Sequence, residues 1–69
     1  MKKKMAFIGA GVVGTALAVA LRKKGWPVEA VNSRTDLSAQ RFARLTGAKC
    51  QLTPEDVVRA GDIVFLTVP

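Results

Sequence analysis

Three glycines near the start of the sequence have the spacing of a phosphate-binding turn. Gly9, Gly11 and Gly14 form the pattern G-x-G-x-x-G, and the residues between them are Ala10, Val12 and Val13. The first glycine permits a tight turn after a strand, the second lets a pyrophosphate approach the backbone, and the third lets a helix pack closely. Unpaired amides at a helix start favour an anion. The hexapeptide predicts a dinucleotide-binding turn; the alternative is three glycines that serve packing or break a helix.

A second polar segment lies where dinucleotide sites distinguish NAD from NADP. Sites for NAD usually carry Asp or Glu about 20 residues after the glycines, where the acid binds the ribose hydroxyls. Here Asn32 takes that place, followed by Ser33, Arg34 and Thr35. A guanidinium pairs with a phosphate and hydroxyls donate to it, so the segment predicts NADP. The alternatives are a solvated Arg34 and a helix cap at Thr35; we interpret Asp36 as a capping residue that points away from the ribose.

The composition excludes several kinds of chemistry. The 69 residues include one cysteine and no histidine, which excludes a disulfide framework, a zinc site with several Cys or His ligands, and Ser-His or Cys-His catalysis. The composition therefore predicts no metal-binding residue. No catalytic residue is predicted in this chain either. Cys50 is expected to be a buried or half-buried structural thiol.

The net charge of +6 arises from 11 basic and 5 acidic residues. Lys2–Lys4 precede the first predicted strand and Arg22–Lys24 end the first predicted helix, so both runs belong at the edge of the sheet opposite the cofactor. A patch for nucleic acid or an acidic partner is the alternative. No aromatic residues interleave with these lysines and arginines, so we expect a solvated basic end and no nucleic-acid partner.

The uncharged run Met5–Leu21, flanked by basic residues, also resembles a secretory signal or a short membrane span. Its glycines interrupt the run at the G-x-G-x-x-G spacing, and the run divides into a β-branched and aromatic part and an alanine-rich part. Cleavage after Ala20 would leave about 49 residues, fewer than usually fold without disulfides or metal. We therefore expect a cytoplasmic protein without a membrane partner.

The elements that position these residues alternate along the chain. Strands are expected at Lys4–Ile8, Val28–Val31, Ala48–Leu52 and Asp62–Pro69, and helices at Val12–Lys24, from Thr35 or Asp36 to Leu45 or Thr46, and from Pro54 to Ala60 or Gly61. The expected core-facing helix residues are Val13, Ala16, Leu17, Ala20, Leu21, Phe42 and Leu45. The apolar last strand is expected to be buried on both faces. The order β-α-β-α-β-α-β predicts an α/β fold, a Rossmann-like open parallel sheet that forms the first half of a doubly wound domain.

The segment FIGAGVVGTALAVALRKKGWPVEAVNSRT, together with AGDIVFLTVP at residues 60–69, resembles the N-terminal domain of a reductase superfamily. Its members include pyrroline-5-carboxylate reductase, the deazaflavin-dependent NADP reductases, prephenate dehydrogenase and relatives of 6-phosphogluconate dehydrogenase. The strongest likeness is to uncharacterised bacterial proteins that join a Rossmann-like domain to a helical C-terminal domain. The resemblance implies that Gly9–Gly14 hold the pyrophosphate, that Ser33–Thr35 hold the 2′-phosphate, and that Thr67, Val68 and Pro69 border the cofactor.

The same resemblance implies that residues 1–69 are the N-terminal part of a dinucleotide-binding domain whose C-terminal remainder is absent. The parent protein is then expected to transfer a hydride between NADP(H) and an unknown small substrate, and to form a homodimer through the missing C-terminal domain. Because a fold does not determine a function, a non-catalytic nucleotide-binding regulatory module is the alternative.

Overall fold

The computed structural model describes residues 2–67, which form alternating parallel strands and helices. The strands are β1 (Met5–Ile8), β2 (Val28–Asn32), β3 (Lys49–Cys50) and β4 (Ile63–Leu66), and the helices are α1 (Val12–Lys23), α2 (Asp36–Thr46) and α3 (Pro54–Ala60). Within this part of the chain the strand order is β3-β2-β1-β4, and each neighbouring pair is parallel. The predicted α/β, Rossmann-like sheet is confirmed.

Short-range signals account for the starts of the second and third helices. The hydroxyl oxygen of Thr35 accepts a hydrogen bond from the Ser38 amide at 3.3 Å, and that of Thr53 accepts one from the Asp56 amide at 3.2 Å. Each bond satisfies an amide that has no partner within its own helix. Pro54 occupies the first turn of α3, where a missing N–H is harmless.

The core has two layers, one on each face of the sheet. On one face Phe7 of β1 and Phe42 of α2 are fully buried, with ring centroids 5.2 Å apart, and Phe65 of β4 stacks on Phe7 at 4.9 Å. On the other face Val57 of α3 packs with Ala6 and other small apolar residues of the sheet. Burial of each phenylalanine contributes about 1.5–3 kcal/mol, so these rings hold α2 and β4 against β1.

The face of α1 that meets the sheet differs from the prediction. The buried residues of the helix are Gly14 and Ala18, whereas Val13 is 77% exposed. Small residues occupy this face because the first turn of α1 approaches the end of the sheet closely, and a larger side chain would not fit. In α2 the prediction is confirmed for Phe42 and wrong for Leu45, which is 55% exposed.

The two outer strands of the described sheet are more exposed than predicted. In β4 the side chain of Leu66 is 72% exposed, because β4 lies at the edge of the described sheet and pairs with β1. The third strand contains two residues instead of five, and Cys50 within it is exposed. The expectation that Cys50 is buried is therefore wrong.

The uncharged run near the N-terminus is divided between a strand and a helix. Met5–Ile8 form β1, the chain turns at Gly9, and α1 begins at Val12. Within residues 2–67, none of the helices has the length and apolar character needed to cross a bilayer. The basic residues on either side of the run meet at one edge of the sheet, where Lys2 Nζ donates to the Lys24 carbonyl at 3.2 Å.

Candidate functional site

The turn between β1 and α1 depends on a glycine at its first position. Gly9 has φ = 106°, in the left-handed region that glycine adopts without steric cost. A Cβ at this position would also lie 2.9 Å from the carbonyl carbon of Thr67, the residue that follows β4. The Gly9 amide donates to the Asn32 carbonyl at 2.7 Å, which ties the turn to the end of β2.

The last glycine of the motif packs against the same threonine. A Cβ at Gly14 would overlap with Thr67 Oγ1 and would lie 3.3 Å from the Gly9 carbonyl oxygen. The close helix–sheet packing that the sequence predicts is therefore present. Its partner is a side chain beyond the end of β4.

No comparable structural feature requires a glycine at the middle position of the motif. Gly11 has φ = −75° and ψ = −175°, a conformation that any residue adopts. A Cβ at this position would meet no heavy atom within 4 Å. Neither the backbone conformation nor packing among the described residues requires glycine here, so an added side chain would project into the open space beside the turn.

The first turn of α1 presents backbone amides to that space. Gly11 is the N-cap residue, it has no side-chain capping bond, and the first turn holds no acidic residue. The first amide that bonds within the helix is that of Thr15, which donates to the Gly11 carbonyl at 2.9 Å. The amides of residues 12–14 precede it and have no partner within the helix. Together with the positive end of the helix dipole they form an anion-binding arrangement.

A cavity of about 200 Å³ joins this turn to the loop after β2. It is lined by Gly9, Ala10, Gly11, Ser33, Arg34, Thr35, Ser38 and Thr67. The fold therefore brings the glycine turn together with Ser33–Thr35 and Thr67. The predicted site residues Val68 and Pro69 lie outside the described residues.

Side chains of the β2–α2 loop give this cavity its donors. Arg34 is exposed, and among residues 2–67 no carboxylate forms an ion pair with it. Thr35 accepts the capping bond from Ser38, which leaves the Thr35 hydroxyl proton free to donate to a ligand. The cap assigned to Asp36 is wrong, since Asp36 is the first helical residue and the capping oxygen belongs to Thr35. The alternative interpretation of Thr35 as a helix cap is confirmed.

The predicted site residues Val12, Val13 and Gly14 of α1 do not line the cavity, and neither does Asn32, the last residue of β2. The Nδ2 atom of Asn32 donates to the Gln51 carbonyl at 2.9 Å and joins the end of β2 to the chain after β3. Ser38, which the sequence reasoning missed, does line the cavity. It lies three residues after Thr35, and residues at this spacing share one side of a helix; that spacing would have identified it.

A larger groove of about 530 Å³ runs along α1 and α2 and shares Ala10 and Gly11 with the smaller cavity. Its other lining residues are Val12, Thr15, Ala16, Val19, Ala20, Lys23, Arg41 and Leu45. Five of these eight residues are apolar, and Lys23 lies in the last turn of α1, away from the glycine turn. The smaller cavity is the place where the glycine turn meets hydroxyls and a guanidinium.

Comparison with known proteins agrees with this geometry. Residues 4–69 match the protein family described as NADP oxidoreductase, coenzyme F420-dependent. An uncharacterised oxidoreductase of Shewanella frigidimarina is 42% identical over 65 residues, which are 94% of this chain and 22% of that protein.

Two solved structures share the fold. A candidate NADP oxidoreductase of Bacteroides fragilis superposes with a TM-score of 0.90 at 29% identity, over 99% of this chain and 26% of that one. An imine reductase of a Pseudomonas species superposes with a TM-score of 0.82 at 23% identity, over 96% of this chain and 22% of that one. The chain thus spans about a quarter of the length of these relatives.

Proposed function

The chain belongs to the coenzyme F420-dependent NADP oxidoreductase family, and from that premise we propose that it is the NADP(H)-binding part of an oxidoreductase. The parent protein would transfer a hydride between the nicotinamide and a small substrate. We assign residues 1–69 to the N-terminal part of the dinucleotide-binding domain. The substrate site and a homodimer interface would belong to the remainder of a cytoplasmic parent protein.

The open space at Gly11 carries the proposal. Neither the backbone conformation nor packing among the described residues requires glycine at this position, and a side chain there would extend into open space beside the start of α1. A pyrophosphate that contacts the α1 amides needs that space, because the anion must approach the backbone to within hydrogen-bonding distance. The proposed pyrophosphate site comprises Gly9, Ala10, Gly11, Val12, Val13 and Gly14.

The choice of NADP over NAD rests on the part of the cavity that the β2–α2 loop lines. Ser33, Arg34 and Thr35 line it, and a carboxylate that would repel a 2′-phosphate is absent from these positions. A guanidinium and hydroxyls match the charge and acceptors of a phosphate. Although the family description also names coenzyme F420, we assign the present residues to the nicotinamide nucleotide for this reason.

In this proposal the nicotinamide carries the redox chemistry, and the chain provides binding and orientation. The α1 amides hold the pyrophosphate, and the β2–α2 loop holds the adenosine end. Both contacts lie at the carboxyl edge of the sheet, where ligands of open α/β sheets bind. The named relatives are oxidoreductases, which favours an enzyme over a non-catalytic regulatory module.

Calorimetric titration of the full-length protein with NADP and with NAD tests the proposal. We expect NADP to bind about tenfold or more tightly than NAD, since a charged hydrogen bond contributes about 1.5–3 kcal/mol. Equal or reversed affinities would remove the role given to Arg34. If neither nucleotide bound, the proposed function itself would be wrong.

A further inference from the structure

Thr67 makes an unusual set of contacts at the point where β4 ends. Its amide donates to the Ile8 carbonyl at 2.9 Å, which continues the pairing of β4 with β1. Its hydroxyl lies 2.8 Å from the Gly9 carbonyl oxygen and 3.4 Å from that of Ile8. The hydroxyl thus donates most closely to the first peptide of the glycine turn, 58 residues earlier in the chain.

The same side chain occupies the space that two glycines leave empty. A Cβ at Gly14 would overlap with Thr67 Oγ1, and a Cβ at Gly9 would lie 3.0 Å from that oxygen. Thr67 therefore contacts both ends of the G-x-G-x-x-G motif. By contrast, a Cβ at Gly11, between them, would meet no heavy atom within 4 Å.

We propose that Thr67 is a positioning residue whose hydroxyl locks the glycine turn in the shape that presents the α1 amides to a pyrophosphate. The inference rests on the proposed function and deepens it. It assigns to Thr67 an effect on cofactor binding that acts through Gly9 and Gly14, beyond a direct contact with the cofactor. The bond to the Gly9 carbonyl sets the orientation of that peptide. The contact with Gly14 sets the distance between α1 and the end of the sheet.

This role predicts a specific pattern of affinities. The pyrophosphate is common to NADP and NAD, so loss of the Thr67 hydroxyl should weaken both nucleotides by the same factor. Arg34, by contrast, faces the part of the cavity assigned to the 2′-phosphate, so its loss should affect NADP alone. A purely structural role for Thr67 would lower the stability of the protein and leave the affinity of the folded protein unchanged.

The test compares Thr67→Val, which removes the hydroxyl at nearly constant shape, with Thr67→Ser, which retains it. In the full-length protein, well below the unfolding temperature of each variant, we expect T67V to weaken NADP and NAD equally, by about tenfold. T67S should bind both within about twofold of the wild type. Wild-type affinity for both nucleotides in T67V would overturn the positioning role alone, whereas a wild-type protein that binds neither would overturn the proposed function with it.

A double-mutant cycle tests the contact without any nucleotide. Gly14→Ala should lower the unfolding temperature in the wild type because its methyl group overlaps with Thr67 Oγ1. In a Thr67→Ala background the same substitution should lower the unfolding temperature less, because the oxygen is gone and only the Cβ of residue 67, 3.0 Å from the new methyl group, remains in close contact. Additive effects of the two substitutions would contradict the contact on which the proposal rests.

Discussion

Two of the three strand-to-helix turns in the described part of the chain, β1–α1 and β2–α2, are built in opposite ways. Between β1 and α1 the chain uses Gly9–Gly11, and α1 begins without a side-chain cap. Between β2 and α2 it uses Ser33–Thr35, and α2 begins with a threonine hydroxyl bonded to the Ser38 amide. The first helix start leaves its amides open, whereas the second satisfies one of them from within the chain.

In the proposed function this difference assigns a separate task to each turn. Backbone amides bind any phosphate that reaches them, so the first turn should contribute equally to the affinity for NADP and NAD. Side chains with charge and hydroxyl donors respond to one additional phosphate, so the second turn should contribute to the discrimination between them. Substitutions in the two turns should therefore change different quantities.

The largest expected effect is at Gly11. Gly11→Val should weaken the binding of both NADP and NAD by roughly a hundredfold or more, because the side chain enters the space that the pyrophosphate needs. The unfolding free energy of this variant should fall by less than about 1 kcal/mol, the range of N-cap preferences. Calorimetry and denaturant unfolding measure the two quantities.

Gly14→Val is the matched control for that variant. Its side chain would collide with Thr67, so we expect a loss of about 1–3 kcal/mol of stability from overpacking. If G11V destabilised the protein as much as G14V, or still bound either nucleotide normally, the contrast between the two glycines would be refuted.

The next largest effect is expected at Arg34. Arg34→Ala should weaken NADP by about tenfold to a hundredfold, the value of a charged hydrogen bond, and should leave NAD within about twofold. Arg34→Lys is the control, since it keeps the charge and loses the two-pronged geometry; it should fall between wild type and R34A. A matching loss for both nucleotides in R34A would show that the second turn does not discriminate.

The smallest effect is expected at Thr35, which both caps α2 and lines the proposed phosphate site. Thr35→Ala removes the α2 cap and should lower the unfolding free energy by about 1 kcal/mol, with a modest additional loss of NADP affinity. Thr53→Ala removes the equivalent cap of α3 and should lower stability by a similar amount without changing the preference for NADP. A change of preference in T53A would mean that cap loss alone accounts for the effect of T35A.

Much of the fold follows from local signals in the sequence. The seven elements appear in the predicted order, because glycines, Pro54 and the capping threonines act on residues within one helical turn of themselves. Parallel pairing follows from the alternation of strands and helices. The three glycines likewise identify a turn that the structure contains between β1 and α1.

The remainder depends on residues that are distant in sequence. Helical periodicity indicated Val13 as a core residue, yet Gly14 and Ala18 are the buried residues of α1, and Thr67 packs against Gly14. No local pattern places the residue after β4 beside the first turn of α1, since that contact depends on the order of strands in the sheet.

What the sequence determined by itself is therefore the list of elements and the residue types proposed to bind phosphate, because both depend on short-range geometry. Tertiary structure alone decided that Thr67 contacts the glycine turn, that Ser38 joins the cavity while Asn32 bonds to Gln51, and that Leu66 of β4 is exposed. The physical reason is that each of these outcomes depends on which distant segments pack against one another, and packing is settled when the sheet assembles.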